Sequence, residues 1–321
     1  MSDDNFTDGL AEEDYIDAQR DALLKHKEDQ GFSWDTIAKK SDIARGTVSN
    51  FGSDNYTGNR LAVAKMVERY LASYAEQRKL RDLAADGPKF ELTPTADKIC
   101  NVLNWSHTLN SVAVIVGEPG LGKTTTFRRY CENTPHAHLV TLRAEVKTVP
   151  RLYCEIANAV GVRSYNYANV RARILDHVKG ANPLLIVDEC QHASMQMLDE
   201  IRSLNDLNGF AIIFAGNLKV LGSIQSEKAN FAQLASRVGL RLVLTKPSAG
   251  DITAYASAWG VEDDNVMTLL KKIGNKPGAL RNIKQVMGLA TLIAAGQNRQ
   301  AVEPGDVEKA WANLAASEVM A

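Results

Sequence analysis

Three unbroken apolar runs, Val112 to Val116, Leu184 to Val187 and Phe210 to Ala215, mark the middle of this chain. Each has the length of a strand and is bounded by turn residues. Continuous rather than alternating apolar character is what a strand buried on both faces requires. Between and around the runs, from Ala96 to Lys246, strand-like and helix-like stretches alternate, which predicts a parallel sheet covered by helices, an α/β fold. Elsewhere the pattern is helical only. From Arg20 to Arg81 apolar residues recur at helical spacing with polar turns between them, and Pro247 to Ala321 reads as helical throughout. The stretch 82–95 contains Gly87, Pro88 and Pro94 with few periodic positions and is expected to be a linker. No internal repeat or low-complexity tract is evident.

Composition narrows the options. At 321 residues and 45% apolar content, the chain can build two or three domains with real cores. A formal charge of -1 and a pI near 6.6 exclude a uniformly basic nucleic-acid binder, so any DNA contact must come from local patches. Charge is unevenly spread: residues 1–19 hold seven acids and no Lys or Arg, whereas 20–81 hold twelve bases against eight acids. The acidic segment is expected to be a mobile lead-in. No apolar stretch approaches the roughly 20 residues that span a bilayer, and the acidic start is unlike a signal peptide. A cytosolic protein without membrane contact is expected. Cys100, Cys131, Cys154 and Cys190 lack CxxC or Cys/His spacing, which argues for reduced thiols and against zinc or disulfides.

Candidate chemistry begins directly after the first apolar run. Gly117-Glu118-Pro119-Gly120-Leu121-Gly122-Lys123-Thr124 fits GxxxxGKT, follows a predicted strand and precedes a predicted helix, and with Thr125 it makes up the candidate nucleotide-binding residues. Glycines let the backbone curl so that amide N–H groups face phosphate oxygens; Lys123 adds a point charge and Thr124 a hydroxyl for Mg²⁺. The second run ends in Asp188-Glu189. In P-loop ATPases the strand-end aspartate orients Mg²⁺ and its waters, and the next glutamate polarises the attacking water. ATP and Mg²⁺ are therefore the expected cofactors, with hydrolysis rather than binding alone.

Three further positions extend this pattern. In the AAA+ branch of P-loop proteins an Asn at the next strand end positions the hydrolytic water, and Asn217 matches. An arginine just before the last core strand is where that branch places the finger that reaches a neighbouring subunit's nucleotide; Ser236-Arg237 resembles it, with Arg241 as competitor. Lys276-Pro277-Gly278-Ala279-Leu280-Arg281 resembles the second sensor of the branch, with Pro277 expected in the first turn of a helix and Arg281 reaching back to the phosphates. In the front domain, Trp34 to Phe51 resembles a phage-repressor helix-turn-helix, with Ile37, Ala38, Ile43, Val48 and Phe51 as its core and Asp42 where glycine is usual. Lys39, Lys40, Arg45 and Thr47 then lie on or near its exposed face, where they can meet phosphates and base edges.

The order of helix-turn-helix, linker, P-loop, Asp-Glu, Asn, Ser-Arg and Gly-Ala-Leu-Arg resembles the phage Mu B transposition proteins, AAA+ ATPase regulators of bacterial DNA transposition. The likeness runs from about Phe32 to Trp311, with local matches at Gly46 to Ser49, Tyr56, Gly58 and His192. The resemblance implies a helical AAA+ lid at 247–321. It also implies a homo-oligomeric filament on double-stranded DNA, little sequence preference, and delivery of target DNA to a transposase that stimulates hydrolysis. A filament following the phosphate backbone needs a basic stripe on each protomer; Lys147, Arg151, Arg163, Arg171 and Arg173 are its candidates, each of which can equally be an ordinary solvated charge. Two other readings stay open, a helix-turn-helix transcription regulator switched by ATP and a small-molecule P-loop kinase.

Overall fold

The computed structural model describes residues 4–83, 87–163, 169–208, 210–220 and 237–318, in two compact units, Met1–Ala85 and Asp86–Ala321.

The first unit has four helices: α1 (Asp4–Gln30), α2 (Trp34–Ser41), α3 (Arg45–Gly52) and α4 (Arg60–Leu83). Its core joins Ile16 and Leu23 of α1 with Ile37, Ile43, Val48 and Phe51, and with Val63, Val67 and Tyr70 of α4. The acidic segment is thus no separate mobile lead-in, as α1 runs unbroken from Asp4 into the basic region. The reason is spacing: Ile16 and Leu23 stand one heptad apart on one helical face, so burying both extends the helix through the acidic stretch. Acidic residues near a helix N-terminus also suit its dipole. Ser33 caps α2 by accepting the Thr36 N–H at 3.2 Å. Asp42 ends that helix at φ 55°, the left-handed conformation that the turn into α3 requires.

The second unit begins with α5 (Pro94–Thr108), β1 (Val112–Gly117), α6 (Lys123–Asn133), β2 (Ala137–Thr141), α7 (Val149–Val160) and α8 (Val170–His177). It continues with β3 (Leu184–Asp188), α9 (Met195–Asn208), β4 (Ala211–Gly216) and β5 (Val238–Leu244). The five strands pair in parallel in the order β2-β3-β4-β1-β5. β1, β3 and β4 are the three apolar runs, and every residue in them is buried. Alternate side chains feed two cores. Val114, Val187, Ile212 and Phe214 face Leu152, Ile156, Ile174 and Ile201; Ile115, Ile186 and Ile213 face Ile99, Leu103 and Phe127. Strand β5 lies at the edge and alternates exposed with half-buried positions along most of its length.

Four helices follow: α10 (Ala249–Ser257), α11 (Asp264–Gly274), α12 (Ala279–Gly296) and α13 (Pro304–Glu318). They share a core of Ile252, Leu270, Ile283, Val286, Met287 and Val307. Asp251 joins them to the sheet unit. Its buried carboxylate accepts from the Thr95 N–H and hydroxyl, both at 2.7 Å, and from the Ser248 N–H at 2.6 Å and hydroxyl at 2.8 Å. Burial by itself raises this carboxyl's pKa, but the Thr95 and Ser248 donors outweigh it and hold it below the usual carboxylate value. Helix α12 starts at Ala279 behind Gly278 at φ 98°, so Pro277 precedes the cap instead of occupying the first turn. The end of the expected linker is also structured: Thr93 caps α5, and residues 88–91 border the cleft described next.

Candidate nucleotide-binding cleft

At the carboxyl ends of β1, β3 and β4 lies a cleft of about 450 Å³, bordered by Gly117, Pro119 to Thr126, Glu189, Asn217 and Arg281. Chain crossing explains its location. β1 lies between β4 and β5, whereas β2, next in sequence, lies beyond β3, and ligands of open α/β sheets bind where connections diverge in this way.

Close backbone approach shapes the loop. A Cβ on Gly117 would overlap the Leu244 carbonyl, which accepts the Glu118 N–H at 3.0 Å. Gly120, at φ 84°, packs against the Gly278 carbonyl so tightly that a Cβ would collide with it, and the Leu280 N–H donates to the Gly120 carbonyl at 3.1 Å. The loop is thereby locked to the start of α12. Gly122, also at φ 84°, begins α6 without a side-chain cap, which leaves first-turn N–H groups facing the cleft for an anion. Leu121 anchors the loop in the core. Lys123 Nζ donates to the Gly117 and Glu118 carbonyls at 2.8 and 2.9 Å. Burial pushes its pKa down; Asp188, Glu189 and Glu118 oppose that shift, and Arg281 reinforces it. An incoming polyanion would favour the charged lysine.

Asp188 is buried at the end of β3, where its carboxylate accepts the Thr124 hydroxyl at 2.5 Å and the Glu189 N–H at 2.9 Å. This hard oxygen pair suits Mg²⁺, which usually keeps several waters and takes only one or two carboxylates. Glu189, at φ 60° and ψ 37°, opens a single 3-10 turn, Cys190–His192. Its carboxylate accepts from Gln191 Nε2, and Gln191 Oε1 accepts the Asn217 N–H at 3.3 Å. Asn217 Oδ1 accepts the Lys219 N–H at 3.0 Å. Lys89, Phe90, Glu91, Tyr255 and Lys284 also border the cleft, as does Gln191. Sequence reading missed all six. They carry no motif, although a polar residue two places after the Asp-Glu pair is a local signal that Gln191 could have given.

Arg237 lies elsewhere. It precedes Val238, which pairs with Val112 at the beginning of β1, so the length of the sheet separates it from the cleft of its own chain. It is 58% exposed and pairs with Asp206 at 3.4 Å; Ser236 lies outside the described residues. Arg241 is exposed on β5. In the first unit Lys39 is exposed, Thr47 is half-buried, Arg45 pairs with Asp35 at 3.1 Å, and Lys40 Nζ stands over the rings of Phe32 and Tyr74 at 5.3 and 5.8 Å. Lys147 is exposed between β2 and α7, together with Arg143, which sequence reading passed over, and Arg151 is exposed in the first turn of α7. Arg163 and Arg173 border a second hollow with His177. Arg171 turns away from solvent to donate to Ser203 Oγ at 3.0 Å, a structural contact between α8 and α9. Among the described residues no helix is long and apolar enough to cross a membrane.

Comparison with known proteins agrees with this layout. Residues 107–222 match the AAA domain, and residues 236–314 match the family described as Mu B transposition protein, C terminal. The ATP-dependent target DNA activator B of Escherichia phage D108 is 28% identical over 280 residues, 86% of this chain and 88% of that protein; its namesake in Escherichia phage Mu has the same figures. The Mu-like prophage FluMu DNA transposition protein B of Haemophilus influenzae is 28% identical over 82% of this chain and 93% of its own length. Among solved structures, Cdc6p from Pyrobaculum aerophilum has a TM-score of 0.55 at 16% identity, covering 71% of this chain and 69% of that one. The Aeropyrum pernix ORC1 protein, solved with DNA, has a TM-score of 0.54 at 17% identity, covering 72% of this chain and 68% of that one. These likenesses show an α/β AAA+ fold.

Proposed function

We propose, from the premise that this chain belongs to the Mu B transposition protein family, that it is an ATPase which assembles on double-stranded DNA, captures it as a target and delivers it to a transposase. One observation carries the reading. The uncapped start of α6, Lys123, the Thr124–Asp188 pair, Glu189, Asn217 and Arg281 come from four separate stretches of chain and meet around one cleft.

Bound there, ATP with Mg²⁺ would supply a scissile phosphoanhydride whose charge the ion partly neutralises. The α6 N–H groups and Lys123 would hold phosphate oxygens, and Thr124 and Asp188 would hold the ion. Glu189 would orient the attacking water and draw its proton, with Asn217 helping to position that water. Arg281 adds positive charge from α12, so phosphate occupancy is felt by the four-helix lid. The hydrogen bond from Leu280 to Gly120 supplies the direct mechanical link. Arg237 completes the site of an adjacent copy, which explains its distance from its own cleft. A surface ion pair of its kind is worth about 0–1 kcal/mol, so leaving Asp206 costs little. DNA is held by local basic clusters, Arg143, Lys147 and Arg151 in one and Arg163 and Arg173 in another. The first unit, with Lys39 and Arg45 exposed, adds a further contact to DNA or to a partner.

Electron microscopy and sedimentation of the protein with ATP, Mg²⁺ and linear duplex provide the test. Filaments are expected, with duplex affinity that rises with ATP and falls with salt at a slope of about -0.9 per phosphate neutralised. A monomer under those conditions would sink the assembly reading. A footprint at one operator, indifferent to nucleotide, would favour a transcription regulator.

A further inference from the structure

Gln191 touches two strand ends at once. Its carboxamide lies between the end of β3, where Nε2 donates to the Glu189 carboxylate, and the end of β4, where Oε1 accepts the Asn217 N–H at 3.3 Å. The partners decide which way the amide points, since a backbone N–H can only donate and a carboxylate can only accept. Room for it comes from Gly216, because a Cβ there would stand 2.5 Å from Gln191 Oε1. The turn itself is pinned by Cys190, which is buried and donates from Sγ to the Val187 carbonyl at 3.0 Å. Glu189 needs such support. Its left-handed backbone is unfavourable for a non-glycine residue and persists only where neighbouring contacts hold it.

We propose that Gln191 is a positioning residue: it occupies one oxygen of the Glu189 carboxylate, leaves the other for water, and ties its direction to the place of Asn217. Glu189 and Asn217 then move together. A shift of the β4 end changes the aim of the carboxylate without any change in the nucleotide's own contacts. The proposal rests on the ATPase reading of the same cleft.

The contact can be tested without nucleotide. In protein labelled with ¹⁵N at glutamine, the Gln191 side-chain signals are identified by their loss in Gln191→Leu. They are expected to move on Glu189→Ala; unmoved signals overturn the proposal. Turnover supplies the second readout. Gln191→Leu, close in size but without polar atoms, is expected to bind a fluorescent ATP analogue within about twofold of the parent, keep KM, and lose roughly tenfold to a hundredfold in kcat. Equal losses in affinity and kcat would point to a structural role and overturn it.

Gln191→Glu serves even if the leucine variant fails to fold, because it keeps shape and polarity. It sets a second carboxylate against Glu189, and only a shared proton restores the donor. Its kcat relative to the parent is therefore expected to rise as pH falls from 8.5 to 6, and a constant ratio overturns the proposal. Lack of ATP turnover in the parent sinks the ATPase reading instead, and the nucleotide-free signals distinguish that failure from the loss of the contact.

Discussion

The cleft and the polar face of the first unit hold candidate residues of similar kinds, cations with hydroxyls, yet they are built in opposite ways. Around the cleft the candidates come from distant parts of the chain and converge, and hydrogen bonds hold them there: Lys123 to two backbone carbonyls, Asp188 to the Thr124 hydroxyl and the Glu189 N–H, the loop to the Leu280 N–H. On the first unit they fall within nine successive positions, Lys39 to Thr47, Arg45 is paired with Asp35 and Lys40 lies over an aromatic cluster. Convergence from distant segments costs chain entropy that the packing of the whole unit has to offset. A row of exposed cations on one helix pair carries no such cost. Charge alone therefore does not define a site here; the tertiary restraint on that charge does.

Substitutions can break or sharpen this contrast. The largest effect is expected for Arg237→Ala, about 10³-fold in turnover with ATP binding retained. Mixing it with Lys123→Ala should restore activity, since each copy then supplies what its neighbour lacks; absence of complementation removes Arg237 from the shared site. Glu189→Gln should lower phosphate release by about 10² to 10³ while nucleotide and DNA remain bound. A variant that turns over normally would take the general base away from Glu189.

Lys123→Ala is expected to weaken nucleotide binding by about 100-fold, measured by titration of a fluorescent analogue, because a charge-assisted phosphate contact disappears. Asp251→Asn examines the link between lid and sheet. Loss of a buried acceptor for four donors should cost about 2 kcal/mol in denaturant melts at pH 7. The folded carboxyl titrates below its unfolded value of about 3.9, so its contribution is present above that pH and disappears as pH falls through the depressed value. The gap between parent and variant should begin to narrow below about pH 4 and close once the pH is under the depressed folded value; a gap that does not narrow in acid would assign the cost to packing.

The smallest effects are expected on the first unit. Lys39→Ala or Arg45→Ala should reduce the salt slope of duplex binding by about one and leave ATP turnover unaltered. A loss of turnover there would erase the contrast drawn between the two regions.

Much of the ATPase unit is legible in the chain because its signals are local. Buried strands announce themselves as apolar runs, and the loop after β1 must use glycine where Gly120 and Gly122 take positive φ. Asp188, Glu189 and Asn217 are legible through their places at strand ends. Lys89, Phe90, Tyr255 and Lys284 are not, because they reach the cleft only through packing and occupy no patterned position. Local spacing also misplaces Pro277, since the start of α12 depends on Gly278 meeting Gly120, a contact between segments far apart in sequence. In α1 a strong local charge bias concealed the weaker periodic signal of Ile16 and Leu23, which only a packed α4 makes decisive.

By itself, then, the order of residues determined the parallel sheet, the glycine-rich loop after β1 and the acidic strand end, all of which follow from bonding rules that act within a few residues. Tertiary structure decided which side chains share the cleft, that Arg237 stands at the other end of the sheet, and that Arg171 supports a helix pair instead of facing solvent. Those outcomes depend on the crossing order of the strands and on contacts across long stretches of chain, and no short-range pattern encodes either.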